Sequence, residues 1–308
     1  MAIVPRRVEG SFDRALFDFV AAREGFVPRV YSDPRGMPML GLGYIMLDST
    51  PGWPPRDSLD RDLSAIGIRL TPQDRMRLTA VGEALSCHNR AAAQRLVSPW
   101  IAGENPQARN DFSFVVDRAQ AQALFELARP DVEAVLQRKL GRELCAELAG
   151  SRELIALFSL AYNNPALIGP VLTRALHSGA REEAWYEIRF GSNRRRHPRV
   201  EQRRDEEAAM FGLVNDSPSA DECAAVATLL ETRRPQIKRY LEELGLDAAE
   251  VKRCVAALCS SAGVPVPPCA QPGTETLAKD TAAPHRRHAP EPPAARRALR
   301  PLRILLDC

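Results

Sequence analysis

The sequence predicts an α+β fold, a mostly helical lobe joined to a small β-hairpin lobe, and two observations carry that prediction. Apolar residues recur at helical spacing over most of the chain up to about residue 262, and a single stretch, VYSDPRGMPMLGLGYIM at 30–46, carries a strong strand signal. The 308 residues are 45% hydrophobic and 26% charged, enough to bury a sizeable core. A net charge of +3 is slight for that length and does not single out a polyanionic partner.

Taken in order, the first helix opens at Ser11 as N-cap, carries Phe12, Leu16, Phe19 and Val20 on one face, and ends with Glu24 before Gly25. VYSD and MLGLGYIM follow as strands, with PRGMP as the turn between them. From Asp48 to about Phe112 the pattern is mixed: a Pro-rich loop, STPGWPPRD, then a helix capped by Thr71, then a loop around SPWIAGENPQ. Helical patterning resumes in DRAQAQALFELA, PDVEAVLQRKL, LIALFSLAYNN and GPVLTRALHSGAREEAWYEIRF. Beyond Gly212, two or three amphipathic helices are expected in DECAAVATLLETRRPQIKRYLEELG and DAAEVKRCVAALC. Residues 263–308 hold nine of the 25 prolines and few large apolar side chains before Leu299, so this tail is expected to be disordered.

Several function classes are disfavoured. The uncharged run at 154–173 is long enough to span a bilayer, yet Asn163, Asn164 and Pro165 at its middle suit a buried core helix better, so no membrane span is expected. Seven cysteines at 87, 145, 223, 254, 259, 269 and 308 form no CxxC or Cys/His spacing, and His88, His177 and His197 show no ligand spacing; no metal site is expected. Walker, dinucleotide and GxSxG patterns are absent, and no cofactor is implied. The arginines at 194–204 lack interleaved aromatics and are cut by Glu201, Asp205, Glu206 and Glu207, which argues against nucleic acid. The N-terminal MAIVPRRVEGSFDR lacks the apolar run of a signal peptide, so synthesis is expected to end in the cytoplasm.

The chemistry concentrates at Glu24 and Asp33. Glycoside hydrolysis commonly needs one carboxylic acid to protonate the leaving oxygen and one carboxylate to activate water or stabilise an oxocarbenium-like transition state. Glu24, near the buried helix face and at a helix C-terminus that disfavours negative charge, suits the acid. Asp33, in a polar turn before Pro34, suits the carboxylate. The plain alternative is a solvated helix end and a turn residue.

Glu24, Tyr31, Asp33, Gly36, Gly41 and Gly43, in register at a helix-to-hairpin junction, resemble the catalytic signature of phage-type lysozymes, glycoside hydrolase family 24. VVDRAQAQALFELA looks like the family's middle helix pair, LIALFSLAYNNP like its buried helix ending in an amide, and EQRRDEEAAMFG like its closing RRxxE helix. The resemblance covers roughly residues 8–212, and its insertion and YEIRFGSN segment look most like pesticin-type muramidases and related toxin domains.

That likeness implies a lysozyme-like domain at 1–212 with an insertion at about 51–111, a helical extension at 213–262 and the tail at 263–308, with the active-site cleft between the two lobes. It implies an inverting muramidase acting on the β-1,4 bond of peptidoglycan, with Glu24 as acid, Asp33 as base or stabiliser, and Tyr31, Asn163, Arg203 and Arg204 as substrate contacts. Met39 stands where the family usually has a threonine that helps hold the attacking water, and Tyr44 where a histidine is common. The alternative expectation is therefore a lysozyme-like module that binds peptidoglycan or a partner protein without efficient catalysis. As an endolysin or antibacterial effector, the chain would reach the periplasmic cell wall by lysis or non-classical delivery, with an immunity or secretion protein as partner.

Overall fold

Ser11 starts the architecture as the sequence predicts: its hydroxyl accepts from the Arg14 N–H, and α1 runs Phe12–Glu24 with Leu16, Phe17, Phe19 and Val20 buried, closing at Gly25. The structure, a computed structural model, describes residues 3–99, 111–192, 198–245 and Arg253. The chain divides into two compact units, one of residues 7–168 and one of residues 1–6 with 169–308. The division falls inside the stretch that the lysozyme resemblance treats as a single domain.

In the first unit, β1 (Val27–Ser32), β2 (Pro38–Gly41) and β3 (Tyr44–Ile45) form an antiparallel sheet in the order β1-β2-β3. Tyr31 pairs with Met39, Ser32 with Pro38, Met39 with Ile45 and Leu40 with Tyr44. The expected two-strand hairpin is thus a three-strand meander, because MLGLGYIM folds back on itself at Leu42. The Gly43 N–H donates to the Leu40 carbonyl (3.2 Å), and Gly43 sits at φ +100°, a region other residues resist.

The segment at 51–111 supplies α2 (Leu59–Ala65), α3 (Pro72–Ser86) and α4 (Arg90–Leu96). Thr71 and Asp74 form a reciprocal capping box at α3, as the capped start predicts. These helices do not form a separate lobe. Leu63, Leu78, Val81, Ala93 and Val97 share one hydrophobic cluster with Val30, Leu40, Met46 and Leu47 of the sheet region. Tyr44 is buried there, its hydroxyl donating to Asp62 of α2 at 2.8 Å.

α5 spans Arg118–Leu140 as one helix, although DRAQAQALFELA and PDVEAVLQRKL were expected as separate segments. Pro130 lies inside it, exposed, where it forfeits one backbone hydrogen bond. Continuity is favoured by the Asp117–Gln120 capping box and by an apolar face, Leu124, Phe125, Leu136 and Leu140, that runs past the proline. After α6 (Arg142–Glu147), α7 (Arg152–Asn163) is buried along Ile155–Ala161 and leads into a 3-10 turn at Pro165–Leu167. The uncharged 154–173 run is thus broken at Asn164. Among the described residues no helix is long and apolar enough to cross a membrane.

In the second unit, α8 (Pro170–Ser178) and α9 (Arg181–Tyr186) lead into a π-helical turn at Glu187–Gly191, followed by α10 (Pro198–Phe211) and α11 (Ala220–Glu243). The expected extension beyond 212 contributes α11 to this unit's own core: Tyr240 packs edge-on against Phe190 at 5.1 Å, with Val226, Leu229, Leu230 and Ile237 buried. Of the sequence expectations, the SPWIAGENPQ loop from Trp100 on, the arginines at 194–196, His197, most of DAAEVKRCVAALC and the 263–308 tail lie outside the described residues. Cys87, Cys145 and Cys223 are free thiols.

Candidate functional site

Five of the seven sequence-predicted site residues, Glu24, Tyr31, Asp33, Met39 and Asn163, belong to the first unit. Glu24 is the last residue of α1, and its carboxylate flanks the β2–β3 turn: a methyl group added at Gly43 would lie 3.9 Å from Glu24 Oε2 and 3.9 Å from the Tyr162 hydroxyl. Gly43 thus has a positive φ and an acid at its side. Its neighbours leave ordinary van der Waals room, so conformation rather than crowding demands glycine there.

Asp33 follows β1 and organises the turn. Its Oδ1 accepts from the backbone N–H groups of Arg35 (2.7 Å) and Met37 (2.9 Å), and its Oδ2 accepts from Arg35 Nε (2.9 Å). The side chain is 11% exposed while that of Arg35 is 75% exposed. The 51–111 segment closes over this turn. Gln94 of α4 donates to the Asp33 carbonyl (3.4 Å), and the Ser32 N–H donates to the Ser98 carbonyl (3.1 Å). Buried Arg29 donates to the Ser98 and Pro99 carbonyls, tying the stretch after α4 to β1.

Tyr31 lies on β1, the strand that joins the two acidic residues. Burial drives its phenol well above the ordinary value, and the negative charges of Glu24 and then Asp33 push it further in the same direction. It is therefore a neutral hydroxyl that feels both acids. Met39 is its cross-strand partner, so both side chains leave the same face of the sheet; Met39 is half-buried and packs against the hydrophobic cluster. Ser32 and Pro38 take the opposite face. The Ser32 hydroxyl, buried and without a hydrogen-bond partner among the described residues, is turned away from the Tyr31–Met39 side.

Asn163 ends α7 and is exposed; the next amide, Asn164, caps the 3-10 turn by accepting from the Ala166 N–H at 2.9 Å. Sequence reasoning missed the residue before it. Tyr162 donates to the Leu42 carbonyl at 3.0 Å and stacks on Phe158, joining the helical core to the turn beside Glu24. Its position next to the amide in AYNN was the sole local signal. Gln94 and Arg35, which hold the Asp33 turn, were missed as well, although the D-P-R-G order does suggest a local bond to Asp33.

Arg203 and Arg204 lie in the second unit, on α10. Arg203 Nε donates to Glu207 Oε1 at 3.0 Å, and Arg204, 1% exposed, pairs with the other oxygen of the fully buried Glu207. Nearby, Arg189 of the π-helical turn pairs with Glu201 and Asp205. Burial pushes the Asp205 carboxyl up to about 7, with Arg189 pulling it down and Glu201 pushing it further up. No group of three or more His, Cys, Asp or Glu side chains suited to a metal ion occurs among the described residues.

No family model, curated protein or solved structure matches this chain.

Proposed function

We propose that this chain is a lysozyme-like muramidase that cleaves the β-1,4 bond between N-acetylmuramic acid and N-acetylglucosamine in peptidoglycan. The observation that carries the reading is the placement of Glu24 at the end of α1 beside the Gly43 turn and of Asp33 in the turn after β1, with buried Tyr31 on the strand that joins them. Two carboxylates sharing one neighbourhood, one beside an aromatic hydroxyl and a glycine turn, the other fixed by three donors, can divide the work of acid and base. In this scheme Glu24 gives its proton to the departing glycosidic oxygen as the C1–O bond breaks. Water attacks C1 from the opposite side and yields its proton to Asp33. Asn163 contacts the glycan, whereas Arg203 and Arg204, expected as further contacts, are engaged by Glu207 within α10 of the second unit. The substrate places the action at the periplasmic cell wall, as for an endolysin or a delivered antibacterial effector that an immunity or secretion protein would accompany.

A second reading is a module that binds peptidoglycan without efficient turnover. It is favoured by two observations: both Asp33 oxygens are engaged by the turn, and a thioether rather than a hydroxyl stands opposite Tyr31. Release of reducing ends from purified sacculi separates the two. The muramidase reading expects release by the natural chain and a loss on the order of a hundredfold or more in Glu24→Gln, which keeps the shape but has no proton to donate. Retention on sacculi with no reducing ends from either protein establishes the binding module instead.

A further inference from the structure

We infer that Tyr162 is a positioning residue for the Glu24 carboxyl, an inference that rests on the muramidase reading. The ring of Tyr162 is stacked on Phe158 (centroids 6.1 Å, 24° between planes) and lies 5.7 Å from Phe125. Phe125 in turn meets Phe17 of α1 edge-on at 5.6 Å. One aromatic cluster therefore fixes both the helix that ends in Glu24 and the phenol that reaches the sheet.

The hydroxyl at the end of that ring donates to the carbonyl of Leu42, the first of the two residues that join β2 to β3. The turn is also closed by the Gly43 N–H to the Leu40 carbonyl at 3.2 Å and by the pairing of Leu40 with Tyr44, but Tyr162 supplies a tie from the helical core. A methyl group added at Gly43 would lie within 4 Å of both Glu24 Oε2 and the Tyr162 hydroxyl. The Tyr162 bond thus sets how far the turn stands from the acid. Through β2, which continues from that turn to Met39, it also sets the acid's distance from the Tyr31–Met39 face. A proton donor works only within hydrogen-bond reach of its target, so a small drift of this turn falls on the chemical step and not on binding.

Tyr162→Phe keeps the stack and deletes only the hydroxyl. Losing one neutral hydrogen bond at a positioned group should lower kcat by roughly five- to tenfold with KM within about twofold. Exchange of the Gly43 amide hydrogen should accelerate by roughly the same factor, as the turn opens more readily. A hydroxyl with a merely structural role would lower the melting temperature and leave kcat per folded molecule unchanged; that result, or unaltered Gly43 exchange, overturns the inference. If the natural chain releases no reducing ends, the muramidase reading fails together with the catalytic role. Gly43 exchange in the variant then still decides whether the hydroxyl holds the turn.

Discussion

Tyr31 stands directly across the β1–β2 ladder from Met39, and its phenol is kept neutral first by burial and then by the neighbouring Glu24 and Asp33 carboxyl groups. A hydroxyl at position 39 would enter that same face and could hold water there. Met39→Thr is expected to raise turnover by up to about tenfold, the worth of one net hydrogen bond. Ser32→Ala should leave turnover unchanged, since Ser32 faces the other way. Initial rates on purified peptidoglycan check both, and a Ser32→Ala variant that loses activity would show that its hydroxyl serves the site after all.

Asp33 combines a turn role with a proposed chemical one, and two substitutions separate them. Asn retains an acceptor for the Arg35 and Met37 N–H groups and gives up a bridge to an exposed guanidinium, which costs under about 1 kcal/mol. Asp33→Ala loses both backbone bonds and should cost about 1–3 kcal/mol. Turnover should fall on the order of a hundredfold in both. Urea unfolding alongside reducing-end assays tests the pair; an Asn variant with natural turnover would confine Asp33 to the turn.

Gly36 reports on the seating of α4 over the turn. It sits at φ +92°, and a Cβ there would lie 2.9 Å from the Ala93 Cβ. Gly36→Ala is therefore expected to lose about 2 kcal/mol from backbone strain and overpacking. An unchanged denaturation midpoint would mean that α4 does not press on the turn.

Asp205 should make stability depend on pH. Its carboxyl is raised from an ordinary 3.8 to about 7 by burial, facing Arg189 and Glu201. Because the folded form holds the proton more tightly, the contribution is full below pH 3.8 and is lost as pH rises through about 7. Asp205→Asn removes that titration, so its melting temperature should fall less than that of the natural chain across this window. Parallel curves for the two proteins would contradict the assignment.

What the sequence determined by itself was local. The Ser11 cap, the Thr71 cap, the turn at Asp33 and the glycine after Glu24 depend on residues within four positions of one another, and all four stand in the structure where the sequence placed them. That one strand, β1, links the helix end at Glu24 to the turn at Asp33 was legible too. Tertiary structure decided the rest. Whether α5 could pass through Pro130 depended on an apolar face packed along its whole length, which outweighs one missing N–H. Whether MLGLGYIM stayed one strand depended on pairing with partners on both sides. The docking of α4 on the Asp33 turn and the bond from Tyr162 to Leu42 join residues about 60 and 120 positions apart. Periodicity and capping record what a residue prefers among its neighbours; which distant surface it meets is fixed only when burial of the shared core selects one arrangement.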